Sequence, residues 1–220
     1  MKFRIKSMVF FLALSLAFSS EEERFSILSS EGNKVTVSFS NEEFEQEIKG
    51  DYARLIGSKN STIDPGLPEL PIFTFSYGVN PYKEYNVSYN IKSYHEISNI
   101  EIFPYQHPKE NINLKDGSLY VDTAYSQSYD NYPKTIINET RSIMRGNELL
   151  SIDLVPFLYD FKNKNLVVYD EVEIIIEETV DRAIFSPLLQ KKSKTFENMY
   201  NNLVLGTFDN REIDFQNPSI

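Results

Sequence analysis

The run Leu166–Ile176 constrains this chain more than any other stretch. Leu166-Val167-Val168 and Ile174-Ile175-Ile176 are apolar on successive residues, without alternation. β-Branched side chains are stiff at χ1 and suit a pleated surface. A strand that is apolar throughout must be covered on both faces, which places it at the centre of a sheet. It closes a longer stretch, Met144–Glu177, that reads as two strands joined by a hairpin connection at Asp160–Asn165. Arg145-Gly146-Asn147 reads as a turn before them. Nothing in the stretch forms a catalytic set, so function points toward shape and a partner.

The segments upstream share this character. Phe25–Ser40 predicts a strand, a turn at Glu31-Gly32-Asn33, and a half-buried strand with Val35, Val37 and Phe39 on one face. Asn41–Lys49 fits either a short helix capped by Asn41 or another strand, and Tyr52–Ile56 is a short strand. Asp64-Pro65-Gly66 is a strong turn signal. Pro68 and Pro71 suit the lead-in or an edge, because proline offers no ladder donor. Tyr85–Tyr94 alternates Tyr85, Val87, Tyr89 and Ile91 with polar residues. Residues 106–134 are irregular, with one short strand predicted at Leu119-Tyr120-Val121. A long loop inside a compact domain is usually functional or disordered. Pro187–Leu205 has helical spacing, with Pro187 at a first-turn position. The pattern predicts a mainly β chain, an antiparallel β-sandwich or curled-sheet domain with a short C-terminal helix.

The N-terminus reads as a targeting segment. Lys2, Arg4 and Lys6 precede the apolar run Met8–Phe18, and Ala17-Phe18-Ser19 offers small residues for signal cleavage after Ser19. The run is too short to span a bilayer. Removing those three cations leaves 19 of the 22 basic residues against 32 acidic ones, a mature charge of −13. Such a chain repels nucleic acid. It is expected to be exported, to the medium or the cell surface, with no stable membrane insertion. There is no cysteine, so no disulfide framework and no thiol nucleophile.

Chemistry is sparse. His95 and His107 are the only histidines, and a zinc site needs three or four convergent ligands. Carboxylates are plentiful, but no spacing selects a pair for glycoside hydrolysis. No G-x-S-x-G elbow, glycine-rich phosphate loop or calcium loop occurs. No metal and no cofactor are expected. Sequons at Asn60, Asn86 and Asn138 matter only in a eukaryotic secretory route.

Several marks occur in a recognisable order: Gly66-x-Pro68-x-Leu70-Pro71, Pro104-x-Gln106-x-Pro108, Tyr132-Pro133, Arg145-Gly146, Pro156 with Tyr159, and Leu166-x-x-Tyr169. Over roughly residues 30–205 this order resembles the N-terminal propeptide of gingipain-type cysteine peptidases. The tail Phe196–Gly206 is similar to the lead into the peptidase domain of such precursors. The resemblance implies an exported precursor whose propeptide assists folding and blocks the active site until it is cut away. Its partner would be the cognate cysteine peptidase domain downstream. The catalytic Cys–His pair would lie there, so this chain would be part of an endopeptidase without carrying its catalytic residues. The implied layout is a signal peptide over 1–19, a β-rich domain over 20–186, a helical linker over 187–205 and a junction over 206–220.

If the peptidase prefers basic residues, a lysine on a propeptide loop would fill its specificity pocket. Lys115, before the turn Asp116-Gly117, ranks first, followed by Lys109 and Lys134. For each one the plainer reading is an exposed, solubilising lysine. Processing candidates are Arg211, the best placed, then Lys194, Arg182 and Lys191-Lys192. The competing reading is an adhesive or glycan-binding surface β-sandwich, with Tyr120, Tyr125, Tyr129 and Tyr132 as a sugar-stacking patch. A third is a standalone secreted peptidase inhibitor.

Overall fold

The structure is a computed structural model that describes residues 24–41, 44–107, 119–123, 125, 131–182 and 193–208. It is built from antiparallel sheets, as the alternating patterns predict. The first sheet holds β1 (Phe25–Glu31), β2 (Lys34–Ser40), β7 (Lys83–Ser98), β8 (Asn131–Tyr132), β11 (Phe157–Asp160) and β12 (Asn165–Asp181). The second holds β5 (Asn60–Ser61), β6 (Pro71–Val79), β9 (Ile137–Met144), β10 (Asn147–Leu154) and β13 (Gly206–Thr207). A two-stranded ribbon pairs β3 (Glu45–Lys49) with β4 (Tyr52–Ile56). Of the Asn41–Lys49 segment, Glu45–Lys49 is therefore a strand, the second of the two readings the sequence allowed.

The Leu166–Ile176 run is the axis of the first sheet. β12 pairs along one edge with β7, and along the other with β11 and then β2. Leu166, Val168, Val172, Ile174 and Ile176 have no exposed surface. They belong to one core cluster with Phe73, Ile152 and Leu154 of β6 and β10, which are equally buried. Rings lock the sheets together: Phe25 meets Phe75 at 4.7 Å and Phe39 meets Phe73 at 5.2 Å, in tilted pairs. Each such ring contributes roughly 1.5–3 kcal/mol by leaving water.

Met144–Glu177 is more than two strands. β10 ends at Leu154 in the second sheet, the chain crosses at Val155-Pro156, and β11 starts a new hairpin with β12 in the first. Pro156 has no N–H to continue a ladder, and its carbonyl instead accepts from the Tyr169 N–H at 2.9 Å. Arg145 and Gly146 have φ of 48° and 82° and form the two-residue turn between β9 and β10.

The helix α1 (Lys194–Leu203) starts later than Pro187, which lies outside the described residues. Ser193 caps it by accepting from the Phe196 N–H at 3.2 Å. Phe196 and Tyr200, one turn apart, pack with Leu149 and Val204. β13 then joins β6 as a parallel strand, and Phe208 is buried against Tyr77 and Tyr85 at 5.2 and 5.6 Å.

Candidate functional site

The marks at Gly66–Pro71, Pro104–Gln106 and Tyr132-Pro133 meet at one corner of the molecule, whereas Arg145-Gly146 lies apart, with Arg145 over the Phe196 ring. Asp64-Pro65-Gly66-Leu67 closes as a turn through Leu67 N–H to Asp64 C=O at 3.1 Å. Gly66 has φ of 73°, which a type II turn demands at its third residue. It also needs to be bare: a Cβ there would lie 2.5 Å from the Asp122 nitrogen and 2.7 Å from the Tyr120 ring.

The outgoing leg of the 106–131 segment runs beside this turn. Phe103 N–H donates to Ala53 C=O, Tyr105 N–H donates to Leu67 C=O, and Gly66 N–H donates to Tyr105 C=O. Pro68 and Pro104 bridge between these. The returning leg makes no strand at Leu119-Tyr120-Val121, contrary to the sequence expectation. A side chain serves it instead. The Gln106 amide donates to Tyr120 C=O and accepts from Tyr120 N–H, both at 2.9 Å, and donates to Pro104 C=O at 2.9 Å. Gln106 and Tyr120 are 14 positions apart in sequence. Asp122 N–H then donates to Gly66 C=O at 3.1 Å.

Three tyrosines pin this corner to the first sheet and its loops. Tyr125 Oη donates to Ile102 C=O, and its ring packs on Phe161 at 5.1 Å. Tyr132 Oη donates to Asp64 Oδ2 at 2.7 Å, and Tyr159 Oη donates to Ile100 C=O at 2.9 Å. Burial pushes all three phenols well above their usual range; for Tyr132 the Asp64 carboxylate adds to this. The Tyr132–Pro133 peptide is cis.

This disposes of the sugar-stacking patch. Tyr132 is buried and Tyr125 half-buried, each held by its hydroxyl, which leaves Tyr120 as the exposed ring among the described members. Tyr129 lies outside the described residues.

Of the candidate lysines, Lys134 is exposed just after Pro133, at the foot of the returning leg. Lys109 and Lys115 belong to the segment closed by Gln106 and Tyr120 and lie outside the described residues. So do Arg211, Lys191-Lys192 and Ser19. Lys194 is exposed at the first position of α1. Arg182, just beyond β12, is engaged: its guanidinium reaches Glu148 at 2.7 Å and Glu84 at 3.7 Å. Arg141 joins both carboxylates, at 3.1 and 2.8 Å. This network ties β7, β9 and β10 to the end of β12.

Sequence reasoning named Gln106 only within the Pro104-x-Gln106-x-Pro108 mark, without a role, and missed Glu148. The role of the first carries no signal outside the folded corner. The second does: Glu148 shares the parity of Leu150, Ile152 and Leu154, so a carboxylate stands on the core face of β10 and requires cationic partners. His95 Nδ1 lies 2.8 Å from Asp170 Oδ1 on the surface. Among the described residues no three His, Cys, Asp or Glu side chains converge on a common point. None of their helices is long and apolar enough to cross a membrane.

The described residues form a curled β framework that ties Gln106 and Tyr120, at the two ends of the 107–119 segment, to each other and to the Gly66 turn. Comparison with known proteins places it. The model of the C25 propeptide family (Propeptide_C25) matches residues 28–213, and the chain belongs to that family. Its fold is similar to that in a complex of the RgpB pro- and mature domains from Porphyromonas gingivalis. The TM-score there is 0.66 at 19% identity, covering 83% of this chain and 96% of that one. It is also similar to a structure addressing the zymogenic latency of gingipain K from the same organism. That match has a TM-score of 0.56 at 16% identity, covering 71% of this chain and 92% of that one. No curated protein sequence matches significantly.

Proposed function

We propose that this chain is the pro-segment of an exported, gingipain-type cysteine endopeptidase precursor, which assists folding of the peptidase domain and holds it latent until it is cut away. The observation that carries the reading is the clamped segment between Gln106 and Tyr120 in a chain of the C25 propeptide family. Fixing the two ends of a segment removes part of the entropic cost of placing it in a cleft, and such pre-organisation raises affinity. The segment's lysines suit a peptidase with an acidic specificity pocket, with Lys115 first, then Lys109, and Lys134 at the foot of the loop.

In the same reading the signal peptide is removed after Ser19 and the activating cut falls at Arg211. Arg182 is a poor substrate, since its guanidinium is held by Glu148 and Glu84. The test is direct. The purified chain is added to the peptidase domain encoded downstream of it, and residual activity on a basic peptide substrate is followed. Slow, saturable inhibition that Lys115→Ala weakens is the expected result. Unchanged inhibition by Lys115→Ala removes that lysine, and no inhibition by the intact chain removes the proposal.

A further inference from the structure

We propose that the free edge of β7 is a contact surface for a second copy of this chain, with the two β7 strands running antiparallel about a twofold axis through Tyr94. The proposal does not depend on the latency reading.

β7 spans 16 residues, Lys83–Ser98, and contains no proline. Its ladder with β12 uses one edge, and among the described residues no strand pairs with the other. A long edge without such breaks is a template for another strand. β7 also carries apolar groups on both of its faces. Ile91 and Ile97 lie on the core side, opposite Val172 and Leu166 of β12, and Ile91 is still 39% exposed. Tyr94, on the other face, is 61% exposed. A groove of about 410 Å³ opens beside it, lined by Ile91, Lys92, Tyr94, Glu96, Val167 and Tyr169.

The charges select the occupant and the register. Lys92 and Glu96 flank Tyr94 on the same face, one pleat to either side. A twofold axis normal to the sheet at Tyr94 sets Lys92 against Glu96 of the second copy and, by symmetry, Glu96 against Lys92 of the second copy. Ile91 then meets Ile97 on both sides of the axis, and the groove gives room to the second Tyr94 ring. Opposite charges directly across a ladder stabilise it, and like charges do the reverse. An axis at Lys92 would oppose two lysines, and an axis at Asn90 would oppose Glu84 and Glu96. An axis at Ser88 would oppose Glu84 and Lys92, but Glu84 already serves Arg141 at 2.8 Å. Within its own chain Lys92 bonds Glu173 at 3.0 Å, and Glu96 accepts from Asn165 at 2.8 Å. An ammonium has several donors and a carboxylate several acceptor positions, so each can serve a second partner.

Sedimentation of the exported chain over a concentration series tests this. The parent should form a dimer that Lys92→Glu and Glu96→Lys each weaken about tenfold, as attractive pairs become repulsive ones. Lys92→Glu combined with Glu96→Lys should regain most of the lost affinity, because the pairs re-form with their signs exchanged. A variant that had merely lost its fold would not recover in this way. Tyr94→Cys supplies a sole thiol in a chain without cysteine. Opposed Cα atoms of an antiparallel pair lie about 4.5–5.5 Å apart, within reach of a disulfide. Tyr94→Cys should therefore cross-link two copies on copper–phenanthroline oxidation, and Ser88→Cys should not. A chain that stays monomeric at every concentration overturns the proposal. So does a dimer indifferent to both charge reversals, or one that cross-links through Ser88→Cys in place of Tyr94→Cys. A monomer whose binding to the downstream peptidase domain is lost in Lys92→Glu gives the edge to that partner, and overturns it too.

Discussion

Gly66 stands where three segments meet, and its single hydrogen is what lets them meet. Alanine there would carry a Cβ into the Asp122 nitrogen and the Tyr120 ring, at a φ that L-residues resist. Gly66→Ala should lower unfolding free energy by about 3 kcal/mol in urea titration, strain and overlap adding. The Asp64-Pro65-Gly66 turn was legible because proline fixes φ at the second position and glycine tolerates the positive φ needed at the third. The role of Gln106 was not, because a side chain that imitates a strand needs its partner brought to it by the fold. Glu148 is the other residue on which much depends. Its carboxylate is 3% exposed, one oxygen serves Arg141 and Arg182, and the other has no hydrogen-bond partner. Glu148→Ala leaves both guanidinium groups, each about a third exposed or less, to turn to water and Glu84. The expected loss is about 2 kcal/mol by the same titration, since partial exposure softens the penalty of breaking a buried pair.

At the scale of elements, period carried most of the reading. β2 follows its alternating pattern, and β12 is central as its apolar run predicts, but only one face of β12 is fully buried, with Val167 and Ile175 half-buried on the other. β7 shows where pattern misleads. Tyr85, Val87, Tyr89 and Ile91 alternate as a half-buried strand would, yet Tyr89 and Ile91 are exposed. β7 has the ladder of β12 on one side, and no strand pairs with its other edge among the described residues. The crossing at Val155-Pro156 was hidden for another reason: periodicity runs straight through a change of sheet. The end of the described chain was the least legible element. A two-residue parallel strand has no period, and Phe208 stands in a polar stretch. Yet it covers Tyr77 and Tyr85, and Gly78 beneath it has no room for a side chain between Thr207 and Tyr200. Phe208→Ala should therefore cost about 3 kcal/mol. It should also bring thermal melting down, with α1 losing protection from hydrogen exchange before the sheets do. A melting curve identical to that of the parent would mean that β13 does not belong to the folding unit.

The whole molecule is held at its seams by phenols. Tyr85, Tyr125, Tyr132 and Tyr159 each bury a ring and donate a hydroxyl hydrogen to a distant acceptor. The acceptors are Glu178 Oε1, Ile102 C=O, Asp64 Oδ2 and Ile100 C=O: the first ties β7 to β12 within the first sheet, and the other three fasten the loops around it. All four can act only as neutral phenols. Burial is the first cause that raises each ionisation above the ordinary value, and a hydrogen-bonded carboxylate adds to it at Tyr85 and Tyr132. In the unfolded chain the same groups lose protons near pH 10. Below that value both states keep the proton and these tyrosines add no pH dependence. Above it the unfolded state is the one that deprotonates, so stability falls as pH rises, and continues to fall toward the folded values. Each phenol contributes a slope of about 1.4 kcal/mol per pH unit in that range. Four acting together should bring on cooperative alkaline unfolding within about one to two pH units above 10. Urea titrations at stepped pH, read beside tyrosinate absorbance, check this: Tyr85, Tyr125, Tyr132 and Tyr159 should add their absorbance only as the fold is lost. Stability that stays level through about pH 11, with all tyrosines titrating as free phenols do, would show that these hydroxyls are not the fasteners described.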